Sequence, residues 1–577
     1  MGFREFAKTA WRLFKPYWKS DRRREAWLYS AGILALTLLS TAFSVAISFV
    51  IAQFFTALEQ RDIPAFFNGL LLMFGAVVIL VLIAMFKTQL TMSFQIAWRR
   101  WLTHNYFNRY CERLNFYQLE LTAYGVDNAD QRISEDIRNF CVETTELGLE
   151  FLREFLTLFS FVAVLWAITG PLEFTLFGAD ISIPGYMVWV AILYTIVGTW
   201  IGHIIAKPLT RLNFRLQANE ADLRFSLMRV RENAEAVALS KGIEHEKTAL
   251  RSLLDTIVGT WMSLVRYTKR LHAYQAFFGQ LNFFFPIMAG SPRFFSGAIE
   301  FGVLIQTAQA FQQVQGALAW FLTAYERLAK WKSSVDRLLT LDTALVEASN
   351  DRSKSNLQHD HTRASDGVSL DDLSIWLPDG RKLLDESNQV FPVGKSVMIS
   401  GRSGIGKTTL FRVLSGLWPW SSGRVRIPEN SVFLSQRPYL PLGSLRNAIA
   451  YPGAETDVAT EEVVRLFESC SMEQYGDRLD ETESWAKILS GGEQQRIGIV
   501  RAILQRPTFL FLDEATTAMD LETEAQIYRL LKEELPGTAV VSIAHRESLK
   551  QYHDHFVEFD GQGLVLVATH SAQGDTF

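Results

Sequence analysis

Cysteine and histidine are scarce, since the chain of 577 residues has three cysteines and ten histidines. Cys111, Cys141 and Cys470 form no CxxC pair and have no zinc-finger spacing. Free thiols are therefore expected rather than a disulfide framework or a zinc site. Two HDH runs, at 359–361 and 553–555, lie among polar residues, and we interpret them as solvated loops rather than metal sites.

A strong net charge is absent as well. Lys and Arg number 57 against 61 Asp and Glu, a formal net charge of −4, which argues against a nucleic-acid-binding protein. Apolar residues make up 49% of the chain and the mean hydropathy is +0.08, so part of the chain is expected in lipid. Residues 1–25 mix aromatic and basic side chains before any long apolar run. This pattern indicates an amphipathic helix at the membrane surface rather than a secretory signal.

Six segments are apolar and long enough to span a bilayer, which takes about 20 residues. They predict a helical transmembrane domain over 26–345 and lie at 27–58, 64–92, 151–169, 184–206, 271–289 and 298–322. Polar residues, mostly glutamines, occur in the second, fifth and sixth segments, so their polar faces are expected to line a bundle interior or a wet cavity. Lys87 follows a long apolar run, and we interpret it as snorkelling to the headgroups, with a cavity wall as the alternative.

Basic residues orient this bundle. The first 24 residues carry eight Lys and Arg, whereas the loops after the first, third and fifth segments carry at most one each. By the positive-inside rule those loops face outward and both termini are cytoplasmic. The remaining connections, 99–150 and 207–270, indicate long cytoplasmic helices. In the first, Gly125 and then Asn128 predict a break and a fresh helical start, with a short transverse helix that would suit docking to another domain.

The C-terminal third has a different pattern. Residues 346–368 are polar, with almost no large apolar side chains, and predict a linker. From 369 to 577, short β-rich runs alternate with helical stretches, which is typical of an α/β domain. The run GRSGIGKTT lies there between a strand-like and a helix-like stretch, the context that the P-loop motif requires. Its glycines let N–H groups wrap phosphates, Lys407 adds a cation, and the Thr408 hydroxyl can ligate Mg²⁺.

Two acids end another buried strand in TFLFLDEATTAMD. We expect Asp513 to hold Mg²⁺ and Glu514 to polarise a water that attacks the γ-phosphate. Gln436 and His545 each follow a further strand-like run, and the carboxyl ends of neighbouring parallel strands meet at one crevice. A second anion-binding element, Ser490 with two glycines, precedes the helix-like EQQRIGIVRAIL, where a helix N-terminus offers unpaired N–H groups.

These motifs, in this order, resemble the nucleotide-binding domain of ABC transporters over roughly 369–577. The resemblance implies that the signature LSGGEQQR of one copy closes over the ATP of a partner, so that a homodimer holds two composite sites with ATP and Mg²⁺. It assigns catalysis to Glu514 and His545. It assigns Mg²⁺ to Thr408, Gln436 and Asp513. The implied nucleotide contacts are Gly401, Arg402, Ser403, Gly404, Ile405, Gly406, Lys407, Thr408, Thr409, Gln436, Ser490, Gly491, Gly492 and Asp520.

The chain as a whole is similar to a narrower group. FLSQRPYLPLGSLRNAIAYP and NADQRISED resemble the SbmA/BacA-like (YddA-like) half-transporters and the related peroxisomal D subfamily. This implies a six-span transmembrane domain of the ABC exporter type, with long cytoplasmic helices, fused to a P-loop ATPase domain. Members move peptide antibiotics, cobalamin or acyl-CoA esters, and some perform uptake. The chain departs from the group at Ala129, where proline is usual, and at Met519, where leucine is usual.

The function implied is ATP-driven transport of a hydrophilic or amphipathic compound, peptide-like or cobalamin-like, across a bacterial inner membrane. Export of lipid-like or acyl compounds is the alternative. The expected partners are a second copy, the bilayer and the solute, without nucleic acid. A soluble ABC ATPase that works on macromolecules is opposed by the six spans, and an ATP-binding regulator without turnover by intact Glu514 and His545. Trp376, by its spacing to the P-loop, is a candidate for stacking on adenine.

Overall fold

The structure is a computed structural model that describes residues 3–122, 126–176, 179–353, 356–363, 367–402, 404–560 and 564–569. Two compact units divide the chain. The first comprises Met1–Phe116 and Gly125–Leu345, and the second comprises Tyr117–Tyr124 and Val346–Phe577.

The first unit is built from long helices and one β-hairpin. Its elements, and the α4 and α11 helices that continue into the second unit, are α1 (Phe3–Lys19), α2 (Arg23–Glu59), α3 (Ile63–Cys111), α4 (Asn115–Thr122), α5 (Ala129–Gln131), α6 (Ile137–Thr169), β1 (Pro171–Leu176), β2 (Ala179–Pro184), α7 (Tyr186–Glu232), α8 (Ala234–Leu239), α9 (Ile243–Phe295), α10 (Phe301–Thr323) and α11 (Tyr325–Ser353). A π-helical turn, Arg132–Asp136, joins α5 to α6, and β1 pairs with β2 in antiparallel fashion.

The six predicted spans fall on α2, α3, α6, α7, α9 and α10, one on each helix. Of the described helices, four are long and apolar enough to cross a membrane by length and composition: α2, α7 and the stretches Ile63–Leu121 and Ala129–Thr169. The α9 and α10 helices are not among these four. Their sequences carry polar residues at intervals, including five glutamines in α10, which lowers the mean hydropathy of any membrane-length window.

Gly125, where the break is predicted, lies outside the described residues, but the fresh helical start after Asn128 is observed. Asn128 has a left-handed backbone, with φ of 47°, and α5 begins at the next residue. A second break precedes it, because Arg113 and Leu114 also have positive φ and separate α3 from α4. The helical start after Asn128 leads into a long helical stretch, Ala129–Thr169, rather than into the short helix expected there. The short helix in this connection is α4, which lies before the predicted break. Its residues from Tyr117 onward belong to the second unit, where Gln118 Nε2 donates to the Leu417 carbonyl at 3.3 Å.

The second unit is an α/β domain. Its further elements are β3 (Asn356–Thr362), β4 (Val368–Trp376), β5 (Lys382–Phe391), β6 (Val397–Ser400), α12 (Lys407–Leu414), β7 (Ser421–Pro428), β8 (Ser431–Leu434), β9 (Gly443–Ser444), α13 (Leu445–Ala450), α14 (Thr460–Ser469), β10 (Thr482–Glu483), α15 (Trp485–Ile488), α16 (Gly491–Gln505), β11 (Phe509–Asp513), α17 (Leu521–Glu534), β12 (Ala539–Ile543), β13 (His555–Phe559) and β14 (Leu564–Thr569). The described strands form a six-stranded sheet in the order β14-β13-β6-β12-β11-β8 and a four-stranded sheet in the order β3-β7-β4-β5.

Regular structure occupies much of the segment predicted as a linker. The α11 helix runs to Ser353, and β3 pairs in parallel with β7. The β3 strand lies at the edge of its sheet, and its side chains alternate between exposed and half-buried over most of its length. Exposure of one face explains its polar composition. The HDH runs also differ from the expected solvated loops. His359 and His361 lie on β3, and His553 is buried.

The core of the second unit brings the motif-bearing strands together. Strands β6, β12, β11 and β8 pair in parallel, so their carboxyl ends meet at one edge of the sheet. Both faces of the sheet are covered at these strands, and Phe509 and Phe511 of β11 are fully buried. This burial on both faces is why the strands read as continuous apolar runs in the sequence. Phe511 stacks on Phe433 of β8 with ring centroids 4.4 Å apart. The packed aromatic layer holds the ends of β8 and β11 in register.

Candidate functional site

The P-loop connects β6 to α12 at the carboxyl edge of the sheet. Gly401 has φ of 149°, and a Cβ there would lie 2.5 Å from the Phe559 carbonyl oxygen, so only glycine fits. Lys407 Nζ donates to the carbonyls of Gly401 and Arg402 at 2.8 and 2.9 Å. The loop is thereby curled around the ammonium group. Burial lowers the pKa of Lys407, and the nearby Glu514 and Asp513 oppose this effect.

A hydroxyl and a carboxylate face each other beside this loop. Thr408 Oγ1 donates to Asp513 Oδ1 at 3.2 Å, which joins the start of α12 to the end of β11. Burial raises the pKa of Asp513, and the adjacent Glu514 charge adds to the rise. The hydrogen bond from Thr408 and the charges of Arg412 and Lys407 oppose this rise. Hydroxyl and carboxylate oxygens at this spacing suit Mg²⁺, which takes oxygen ligands and phosphate oxygens together.

Glu514 is the meeting point of three strand ends. Its Oε1 lies 3.4 Å from His545 Nε2, and its Oε2 accepts a hydrogen bond from Gln436 Nε2 at 3.4 Å. The Glu514 backbone is left-handed, with φ of 52°, and its N–H donates to the Ile543 carbonyl at 3.2 Å. A non-glycine residue in this region carries strain, which typically marks a functional position. The structure thus brings Gln436, Glu514 and His545 together as the sequence predicts.

The signature segment begins a helix at the same side of the domain. Ser490 is the N-cap of α16: its Oγ accepts from the Glu493 N–H, and its own N–H donates to Glu493 Oε2 at 2.8 Å. This is a capping box. The hydrogen bonds of the Ser490 side chain stay within this first turn, and the residue is exposed. The start of α16 therefore presents its positive dipole end to solvent.

One polar residue that the motifs did not single out connects the site. Gln495 is buried on α16; its Nε2 donates to the Gln436 carbonyl at 2.9 Å and, more weakly, to the Glu514 carbonyl at 3.5 Å. Its Oε1 accepts from the Ala518 N–H at 3.1 Å. A glutamine within an otherwise apolar helical face was the signal that could have indicated it. Gln495 positions the signature helix against the backbone of Gln436, Glu514 and Ala518.

The remaining predicted contacts are placed as follows. Asp520 caps α17, because its carboxylate accepts from the Thr523 N–H at 2.8 Å, and this hydrogen bond lowers its pKa. Thr409 is buried on α12. The main-chain atoms of Gly404, Ile405 and Gly406 continue the P-loop, whereas Ser403 lies outside the described residues. Trp376 ends β4, and Lys382 Nζ lies 5.7 Å from its ring centroid.

The second unit combines a P-loop with an acid pair, a glutamine and a histidine at strand ends, and the helices α13–α16 between β8 and β11 include one with an exposed start. Together these features define an ATP-binding cassette domain. In this chain it follows a unit of membrane-length helices. The class of protein is therefore a membrane transporter driven by ATP.

Comparison with known proteins agrees. The model of the family "ABC transporter transmembrane region 2" matches residues 13–295, and the model of the family "ABC transporter" matches residues 384–517. The chain is 33% identical to the inner membrane ABC transporter ATP-binding protein YddA of Escherichia coli, over 92% of this chain and 94% of YddA. It is 27% identical to the lysosomal cobalamin transporter ABCD4 of Mus musculus, over 96% of this chain and 94% of that protein.

A solved structure of a bacterial Atm1-family ABC exporter with ATP bound superposes with a TM-score of 0.66, at 19% identity over 94% of each chain, which shows the exporter fold. The chain belongs to the ABC transporter family, as a YddA-like half-transporter related to the D subfamily. The predicted fold class and resemblance are confirmed. The protein is an ATP-driven transporter whose cassette domain couples ATP hydrolysis to movement across the membrane.

Proposed function

We propose that two copies of this chain form the working transporter and share two composite ATP sites. The observation that carries this proposal is the Ser490 corner. It caps α16 with exposed N–H groups, yet its hydrogen bonds remain in its own first turn. In each site, the P-loop of one copy would hold the triphosphate and Ser490, Gly491 and Gly492 of the other copy would cover it. Asp520, at the start of α17, would lie at the same seam.

The roles within a site follow from the contacts. Lys407 would place its charge on the β- and γ-phosphates. Thr408 and Asp513, with the side chain of Gln436, would hold Mg²⁺, which neutralises charge on the phosphate oxygens. Glu514 would accept a proton from the attacking water, and the contacts of its carboxylate with Gln436 and His545 support this role.

We further propose a bacterial inner membrane as the location, with both termini in the cytoplasm. The basic first segment, the nearly uncharged alternate loops and the inner-membrane relative of Escherichia coli support this placement. The proposed cargo is a hydrophilic or amphipathic compound of peptide-like or cobalamin-like character. The glutamines of α10 and the cobalamin transporter among the relatives support it.

Transport by purified protein in proteoliposomes of known orientation tests these statements. We expect ATP-dependent accumulation of a labelled peptide or of cobalamin, and none of a labelled acyl compound. Glu514→Gln removes the carboxylate base and should abolish accumulation, whereas Glu522→Gln, an exposed acid of α17, should not. Accumulation of the acyl compound alone would favour the alternative cargo. Accumulation that survives Glu514→Gln would overturn the catalytic assignment.

A further inference from the structure

A polar cavity lies inside the membrane unit, between α2, α6 and α10. Its volume is about 460 Å³, within the range of about 300–1,000 Å³ that small-molecule sites occupy. From Arg153 to Phe161 it follows about 12 Å of α6, at 1.5 Å per residue. Hydroxyls of Ser40, Ser44 and Thr157 line it. Gly316 and other small residues of α10 leave the space open.

Two opposite charges lie in the wall of this cavity, at the start of the third predicted span. The Arg153 and Glu154 side chains are 52% and 12% exposed, and Arg153 Nε donates to Glu154 Oε1 at 2.9 Å. Charged side chains in membrane segments are costly and face a bundle interior or a water-filled cavity. Among the described contacts, both hydrogen bonds of the pair use Oε1, so Arg153 Nη1 and Glu154 Oε2 can each bind a further group.

The same arginine borders a second cavity of about 490 Å³, lined also by Lys87, Glu146 and Glu150. Lys87, which the sequence predicts at the headgroups or in a cavity wall, is one of the residues that line this second cavity. The carboxylates on this side already have partners. Glu150 accepts from Trp320 Nε1 at 3.0 Å and from Arg327 Nη1 at 2.8 Å, and Arg327 also binds Glu146 at 2.8 Å. Of these acids, Glu154 is the one that lines the first cavity, and its Oε2 accepts none of the described hydrogen bonds.

These bonds also fix the shape of the site. Trp320 of α10 lines the first cavity, and its hydrogen bond to Glu150 fixes this side chain against α6 before any solute binds. A rigid, pre-formed wall lowers the ordering cost of binding. An apolar solute in this cavity would strip water from Arg153 and Glu154 without replacing its hydrogen bonds, which is unfavourable. A solute with one charge would satisfy one of the two groups.

We propose that Arg153 and Glu154 bind a solute that carries both a carboxylate and an ammonium group, such as an unmodified short peptide. The carboxylate contacts Arg153 Nη1 and the ammonium contacts Glu154 Oε2. This inference rests on the proposed transport function and specifies the chemistry of its cargo.

Equilibrium dialysis tests it on the full-length protein in lipid nanodiscs without nucleotide, with labelled trialanine, its N-acetyl form and its C-terminal amide. We expect the wild type to bind trialanine about tenfold or more tightly than either blocked form, as one charge-assisted hydrogen bond is lost in each. Arg153→Gln should bind trialanine and its amide alike but still discriminate against the N-acetyl form. Glu154→Gln should show the reverse. Arg211→Gln and Glu232→Gln, both exposed on α7, are the matched controls.

Removing one charge leaves the other unpaired, so the Arg153→Gln/Glu154→Gln double variant is included. It keeps the net charge of the chain, and it should bind all three compounds alike and weakly. ATP binding by each sample reports folding. Equal wild-type affinity for the three peptides, no binding of any, or preferences that persist in the variants would overturn the site. Because no ATP is present, these results are independent of the proteoliposome experiment, whose failure would overturn the transport proposal instead.

Discussion

Arg546 Nη1 donates to the buried carboxylate of Glu524 at 2.9 Å and to the Met519 carbonyl at 3.1 Å. Thr516 Oγ1 gives Glu524 a second hydrogen bond at 2.6 Å. Arg546 directly follows His545, and Thr516 lies two residues after Glu514. The ion pair therefore fastens the segment of the histidine to the loop that follows the proposed catalytic base.

Removing the arginine should destabilise the cassette domain. In Arg546→Gln the Glu524 charge, 2% exposed, loses its cation. Breaking a fully buried pair costs roughly 3–5 kcal/mol, and we expect about 2 kcal/mol because Arg546 is partly exposed. The midpoint of thermal unfolding of the full chain in detergent should fall by several degrees. Lys550→Gln breaks an exposed pair with Glu547 and should leave the midpoint unchanged. Equal midpoints for both variants would contradict this account.

Gln495 should affect turnover more than nucleotide binding. In Gln495→Glu a carboxylate replaces the amide that donates to the carbonyls of Gln436 and Glu514, so acceptors face acceptors. We expect kcat for ATP hydrolysis to fall about tenfold, because the loss of one hydrogen bond would raise the activation barrier by about 1.4 kcal/mol. The change in KM should be smaller. Gln505→Glu, at the exposed end of the same helix, is the control. A change confined to KM would argue against a positioning role for Gln495.

The two-copy arrangement makes a complementation prediction. Lys407→Ala disables a P-loop and Ser490→Arg blocks a signature corner, so neither homodimer should hydrolyse ATP. Chains with different affinity tags, co-expressed and purified through both tags, yield mixed dimers. In these, one composite site combines an intact P-loop with an intact Ser490, and ATPase activity should return. Absence of activity in the mixed dimers would mean that each chain uses its own signature segment.

His553 predicts a pH dependence of stability. Burial lowers its pKa, and its ring nitrogens lie 2.9 Å from the Leu549 carbonyl and from Ser542 Oγ. The unfolded chain takes up a proton near the ordinary pKa of about 6.5, whereas the folded chain does so only at lower pH. The contribution of neutral His553 to the free energy of unfolding is therefore full above a pH of about 6.5 and is lost as the pH falls below that value.

The thermal midpoint measured at pH 7.5 and at pH 5.5 checks this. The decrease on acidification should be smaller in His553→Asn than in the wild type. His245 is exposed at the start of α9, and in His245→Asn the decrease in the thermal midpoint should equal that of the wild type. Identical decreases in all three proteins would show that another group governs the acid response.

Trp376 is predicted to stack on the adenine of bound ATP. Lys382 Nζ lies over one face of the Trp376 ring, 5.7 Å from its centroid. The adenine base would therefore stack on the opposite face. Trp376→Ala should weaken ATP binding about tenfold and Trp376→Phe should restore most of it, because stacking on an aromatic is worth about 1–3 kcal/mol. A fluorescent ATP analogue labelled on the ribose measures this. Unchanged affinity in Trp376→Ala would remove the role.

Local pattern was enough for several features of this protein. The P-loop, the acid pair ending β11 and the residues after β8 and β12 were predictable because each combines a buried strand with an adjacent polar residue. The membrane helices were predictable from apolar length. The edge strand β3 was missed because a polar composition is shared by linkers and by strands with one face in water.

Sequence by itself determined the nucleotide chemistry, since short-range order along the chain places a glycine loop or an acid at the end of a strand. Only the tertiary structure decided that Gln495 joins three motifs, that Arg546 pairs with Glu524, and that Arg153 and Glu154 face a cavity. Those relationships depend on which faces of distant helices meet. The packing of side chains between elements distant in sequence determines which helix faces meet, and no short stretch of sequence contains that information.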